Sequence, residues 1–132
     1  MGRLLISKHS MGWRDLAPLL EGPIRISLSP EAKTVIRNSH KVLKEILNSG
    51  QQVYGVNTGF GKLSTVSISP VDLKQLQLNL VRSHACGVGK PFALGVIRIT
   101  MVLKLMTWAK GYSGVRPKLV QLMVGMLNHE LN

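Results

Sequence analysis

Acidic side chains are scarce in this sequence. Six Asp and Glu stand against 17 Lys and Arg in 132 residues, a formal net charge of +11. The imbalance grows along the chain. Residues 1–50 carry eight basic and four acidic groups, and residues 51–132 carry nine basic groups against only Asp72 and Glu130. Such a balance suggests an anionic partner, nucleic acid among the candidates. Aromatics, however, make up only 5% of the chain, and the cations are spaced singly. No basic cluster alternates with stacking side chains as a single-strand groove requires. This argues against nucleic acid. The plainer expectation is that the excess charge is met by acidic surface in sequence beyond these residues.

Cysteine is nearly absent. The lone Cys86 excludes an internal disulfide and suits a reducing, cytoplasmic setting. Nothing beside it argues for a thiolate, so it is expected as a packed small residue. The four histidines, at 9, 40, 84 and 129, share no metal-ligand spacing. Long hydrophobic runs are missing too. The most apolar stretch, 93–109, is interrupted by Arg98 and Lys104, so no membrane span is expected. The first residues hold too short an apolar run for a signal peptide, and Ile6 breaks the myristoylation pattern begun by Gly2. Internal repeats and low-complexity linkers are also missing, so residues 1–132 read as a single unit.

What is present is helical periodicity, preceded by a short extended segment. Residues 3–28 read as extended, with Ile24, Ile26 and Leu28 alternating with Arg25 and Ser27 in a strand's period of two. Ser29-Pro30-Glu31 carries start signals for a helix: a capping serine, a proline for the first turn and an acid for the positive dipole end. Apolar residues at 32, 35, 36, 42, 43, 46 and 47 mark one helix face, and Gly50 is a stop. Residues 51–68 read as a loop, with the glycine-rich part over 54–66. Ser69 and Asp72 form a capping-box-like pair before a helix striped by Leu73, Leu76, Leu80 and His84. A third helix over about 93–110 is apolar on nearly every side, and a fourth opens at Pro117. Two such helices expose more apolar surface than a short chain covers, which marks an interface. The fold class expected is therefore mainly α, with a short extended/β N-terminal segment, in an oligomer or a larger protein.

The stretch Tyr54-Gly-Val-Asn-Thr-Gly-Phe-Gly-Lys62 invites a phosphate-loop reading, and spacing excludes it. That motif needs glycine at 56 and Ser or Thr at 63, where this chain has Val56 and Leu63. Gly-x-Gly-x-x-Gly is also absent. What remains is a loop whose glycines permit unusual backbone angles and close approach of a ligand. Tyr54 and Asn57 are its groups with chemistry. A phenol ordinarily holds its proton to about pH 10. It serves as a base only where positive charge or donors stabilise the phenolate. On composition alone a structural Tyr54 is favoured.

Three motifs in order change that balance. Tyr54 to Gly61, then Gln75-Leu-Gln-Leu-Asn-Leu-Val-Arg-Ser-His84-Ala-Cys-Gly-Val-Gly89, then Lys110-Gly-Tyr-Ser-Gly-Val-Arg-Pro117 resemble the aromatic amino-acid ammonia-lyases. The match covers about residues 20 to 132. The resemblance implies the helical fold of that family and non-oxidative elimination of ammonia without an added cofactor. It implies an electrophile, a methylidene imidazolone, formed by cyclisation of an internal Ala-Ser-Gly. It further implies that Tyr54 takes the β-proton, that Gly61 lies against the substrate, and that His84 faces the imidazole in the histidine-specific members. Asn57 and the register of His84 favour L-histidine, giving trans-urocanate. Homotetramers, with active sites assembled from several subunits, follow from the same resemblance. Tyr112 and Arg116, in the third motif, are read as structural.

The sequence departs from the family at one point. Ala-Ser-Gly is absent; Asn48-Ser49-Gly50 and Tyr112-Ser113-Gly114 lack the alanine. The expectation is an N-terminal portion of a lyase that does not catalyse by itself. A truncated, non-catalytic binding or assembly module is the alternative, and a basic nucleic-acid-binding domain a weaker one.

Overall fold

A computed structural model of the chain describes residues 2–9, 11–59, 61, 68–69 and 71–130. It is mainly helical with one short pair of strands, as expected. In order, the elements are β1 (Arg3–Ile6), α1 (Trp13–Leu16), α2 (Pro18–Glu21), β2 (Arg25–Leu28), α3 (Pro30–Asn48), α4 (Leu73–His84), α5 (Leu94–Ala109) and α6 (Pro117–Asn128). Contacts divide the chain into two compact units, residues 1–43 with 91–132 and residues 44–90.

In the first unit β1 and β2 pair in parallel, with Arg3 opposite Arg25 and Ile6 opposite Leu28. Parallel strands need a crossover to bring the chain back to the same end. That need overturns the extended reading of residues 3–28. Residues 13–21 form the helical turns α1 and α2 instead. The Asp15 carboxylate accepts the Gly12 N–H at 2.8 Å, and Pro18 opens α2. The period of two places Leu4, Ile6 and Ile26 in the core and Arg3, Leu5, Arg25 and Ser27 on the outer face.

β2 carries a second edge, which a side chain occupies. The Ile26 N–H donates to Asn128 Oδ1 at 2.7 Å, and Asn128 Nδ2 donates to the Ile26 carbonyl at 2.9 Å. The last residue of α6 thus takes the place of a neighbouring strand at that position.

The start signals of α3 behave as expected. Ser29 Oγ accepts the Ala32 N–H at 3.0 Å, and Gly50 after the helix takes φ +79°. Lys8 and Glu31 form an exposed ion pair at 2.7 Å. Their hydrogen bond raises the Lys8 amine above its ordinary range and lowers the Glu31 carboxyl below its own.

The core gathers β1, α1, α2, β2, α3, α5 and α6 around Ile6, Leu19, Ile26, Val102, Leu105 and Val120. Gly95 of α5 permits close packing, because an added Cβ would lie 2.8 Å from the Leu20 Cα. Among the described residues α5 is not surrounded: Leu94, Val96 and Leu103 are exposed, as are Leu119 and Leu122 of α6. Between α5 and α6 the third motif folds back on α3. Gly111 and Gly114 have φ +80° and +59°, and added Cβ atoms would collide with Val35 Cγ1 and sit 2.6 Å from Leu43 Cδ2. His40 Nδ1 lies 2.9 Å from the Gly114 carbonyl, and the Gly114 N–H donates to Ser39 Oγ at 2.9 Å. The two glycines account for the packing, whereas Tyr112 is 92% exposed and Arg116 is also exposed.

Candidate functional site

Tyr54, Gly61 and His84 all fall in the second unit, residues 44–90. The loop after α3 is built from local hydrogen bonds. Asn57 folds back on the residues before it: Oδ1 accepts the Val53 N–H at 2.7 Å and Nδ2 donates to the Gln51 carbonyl at 3.1 Å. The Val56 and Asn57 N–H groups both donate to the Val53 carbonyl, which closes a tight turn over 53–57. Gly55 sits within it at φ +72°. Its N–H donates to Thr58 Oγ1 at 3.2 Å, and Thr58 is buried. On the far side, the Ile68 N–H donates to the Asn57 carbonyl at 2.9 Å. Tyr54 rides on this turn with its side chain 65% exposed.

Gly61 takes φ +56°, with open space where a side chain would begin. Nothing in the described chain crowds it; the left-handed backbone alone favours glycine. The rest of the glycine-rich stretch, Phe60 and 62–67, lies outside the described residues, as does Pro70.

α4 starts as expected: Ser69 Oγ donates to Asp72 Oδ2 at 2.7 Å and accepts the Asp72 N–H at 3.3 Å. Its leucine stripe is only half-covered, and the helix buries no residue. His84 therefore does not look into a core, as its place on the stripe suggests, but is exposed at the helix end. Among the described residues, no layer covers the stripe to turn it inward. His84 Nδ1 lies 2.9 Å from the Leu80 carbonyl and 3.0 Å from Ser83 Oγ. A carbonyl only accepts, so in the neutral ring Nδ1 carries the hydrogen and Nε2 is left as an acceptor. Cys86 is exposed as well, not packed, because α4 has ended two residues earlier.

Asn57, read from the sequence as a group with chemistry, also has a structural part: its amide oxygen and nitrogen each bond a backbone group. Thr58 was not singled out, although an Asn-Thr pair in a glycine-rich segment is a recognisable turn-forming signal. Among the described residues, no three His, Cys, Asp or Glu side chains group as metal ligands. Nor is any helix there long and apolar enough to cross a membrane.

Comparison with known proteins agrees over nearly the whole chain. Residues 11–132 match the family model "Aromatic amino acid lyase". Histidine ammonia-lyase of Vibrio cholerae serotype O1 is 36% identical over 131 residues, covering 99% of this chain and 26% of that protein. Among solved structures, histidine ammonia-lyase from Trypanosoma cruzi superposes with a TM-score of 0.82 at 35% identity, covering 96% of this chain and 25% of the other. Tyrosine aminomutase from Streptomyces globisporus gives a TM-score of 0.89 at 27% identity, covering 97% and 24%. The chain spans about a quarter of the length of the relatives it matches. With the Tyr54 turn and the His84 helix end in place and the match running to residue 132, the chain belongs to the aromatic amino acid lyase family.

Proposed function

We propose that this chain is the N-terminal portion of a histidine ammonia-lyase, contributing the base and an imidazole-facing residue of the site. The whole protein would convert L-histidine to trans-urocanate and ammonia in a cytoplasmic homo-oligomer, a tetramer by resemblance. The observation that carries the reading is the turn over 53–57, closed by Asn57 and Thr58, which holds Tyr54 outward instead of in a core. A base must reach its proton, and a residue on an ordered, exposed turn can be met by a substrate. In the elimination, with Tyr54 acting as the phenolate and the substrate as its ammonium, the Cβ–H bond breaks with its proton going to the Tyr54 oxygen. Its electron pair forms the Cα=Cβ bond, and the Cα–N pair leaves with the ammonium group as ammonia. His84, with Nδ1–H held by the Leu80 carbonyl, would offer Nε2 to an N–H of the substrate imidazole. Gly61 would keep the loop free of a side chain where the substrate lies.

The family's prosthetic group does not fit the residues present. Ala-Ser-Gly does not occur in the 132 residues, and the serines of both Ser-Gly pairs belong elsewhere: Ser49 donates to the Ile46 carbonyl at the end of α3, and Ser113 lies in the α5–α6 loop. The chain by itself is therefore proposed to be inactive. General-base assistance is worth only about 10²–10⁴-fold, too little to expel an unactivated ammonium. A non-catalytic assembly module is the second reading, favoured by the exposed apolar residues of α5 and α6.

The test compares the full-length gene product with the 132-residue chain. Each is incubated with L-histidine, L-phenylalanine and L-tyrosine and followed by ultraviolet absorbance of the unsaturated acids. Urocanate from the full-length protein alone is the expected result. No urocanate, or a β-amino acid in its place, would overturn the substrate and reaction class. Turnover by the short chain would overturn its inactivity.

A further inference from the structure

Four cations line one continuous groove in the first unit, and none of them belongs to the candidate site described above. Three concave sites follow one another there. The first, about 360 Å³, is bounded by Arg3, Arg25 and Ser27 on the outer face of the strand pair. Arg25 and Ser27 also line the second, about 300 Å³, which continues past Leu28 and Lys33. Leu28 and Lys33 in turn line the third, about 80 Å³, closed by Ile36, Val120 and Arg37. Shared walls make these one path from Arg3 to Arg37.

The charge along this path is of one sign. Its lining includes no carboxylate, and none of the four cations forms an ion pair among the described residues. Arg37 only donates to Thr34 at 3.2 Å. The placement is unfavourable for the chain alone. Arg3 and Arg25 are directly opposite across the strands, where like charges repel. Lys33 and Arg37 stand one helical turn apart on α3, where they also repel. An anionic occupant reverses both penalties. The third site differs in kind, since Leu28, Ile36 and Val120 make it apolar. Asn128 already occupies the β2 edge at Ile26, so an occupant is met by side chains, not by simple strand addition.

We propose that this groove binds an extended acidic peptide segment. Its carboxylates pair with Arg3 and Arg25 at one end and with Lys33 and Arg37 at the other, and an apolar side chain enters the pocket of Leu28, Ile36 and Val120. Guanidinium groups suit carboxylates through bidentate hydrogen bonding. The apolar pocket favours a peptide over a nucleic-acid strand, which would need stacking aromatics that the groove lacks.

The experiment uses the full-length protein and short labelled peptides followed by fluorescence anisotropy. One peptide alternates glutamate with leucine, a second alternates glutamate with glycine, and an oligothymidylate of equal charge is the third probe. The Glu-Leu peptide is expected to bind tightest. Arg3→Gln with Arg25→Gln, and separately Lys33→Gln with Arg37→Gln, should each weaken it by about tenfold or more. Lys74→Gln with Arg82→Gln removes the same charge from residues that do not line the groove and should change binding by less than about threefold. Circular dichroism checks the fold of each variant, and single Arg25→Gln and Lys33→Gln changes replace any pair that unfolds. No binding by the unaltered chain, equal losses for all three pairs, an equally tight Glu-Gly peptide, or tighter oligothymidylate would each overturn the proposal.

Discussion

Among the described residues, every buried apolar side chain belongs to the unit of residues 1–43 and 91–132. Among its described residues, the unit of residues 44–90, which carries Tyr54, Gly61 and His84, buries only Thr58 and Gly59. One unit is ordered by burial. The other is ordered by polar side chains that close turns and start a helix: Asn57, Thr58, Ser69 and Asp72. A residue that must meet a substrate belongs on a surface whose order does not depend on covering it. The half-covered stripe of α4 fits a unit that is finished by contacts outside itself.

The contrast can be broken by paired substitutions. Leu105→Ala, at a fully buried position in α5, should cost about 2–5 kcal/mol in urea unfolding. Leu80→Ala, on the half-covered stripe of α4, should cost under about 1 kcal/mol. Equal costs would show that the second unit has a core of its own.

Two glycines of similar conformation sharpen the same point. Gly111→Ala meets both a left-handed backbone and the Val35 side chain, so strain and overpacking combine to about 2–5 kcal/mol. Gly61→Ala meets the backbone penalty alone, about 1–2 kcal/mol. Val35→Ala should relieve part of the first cost and none of the second.

Asn57→Ala should act locally. Loss of its two bonds to Gln51 and Val53 should speed amide exchange over 53–58. Thermal unfolding of the first unit should hardly move. A global drop in melting temperature equal to that of Leu105→Ala would contradict this.

The smallest effect belongs to Lys8 and Glu31. The Glu31 carboxyl is held below its ordinary range, so its contribution is present at neutral pH and fades as pH falls through the folded value. The Lys8 amine is held above its range, so its share is lost only as pH rises through that higher value. Both groups are exposed, and the contribution is small and screened by salt. Glu31→Gln should flatten the acid side of a stability profile slightly and leave the neutral plateau nearly unchanged.

Much of the helical part was legible because its signals are local. Ser29 before Pro30, Gly50 after α3 and the Ser69–Asp72 pair work within a few residues, and the structure uses each. The family was legible from three spaced motifs. What escaped depends on distant partners. α1 and α2 exist because β2 runs parallel to β1, which nothing between residues 7 and 24 announces. Asn128 caps an edge 102 residues away in sequence. His84, expected inward on the α4 stripe, and Cys86, expected packed, are both exposed, and no described residues cover that stripe. The roles of Tyr54, Gly61 and His84 rest on the resemblance and on where the residues stand.

The most direct test of those roles is Tyr54→Phe in the full-length protein, assayed for urocanate from L-histidine. Loss of the phenol oxygen removes the base and leaves the ring. The account predicts a fall in kcat of about 10²–10⁴-fold, with KM changed by less than about threefold and the fold intact by circular dichroism. Urocanate formation at the unaltered rate would contradict it.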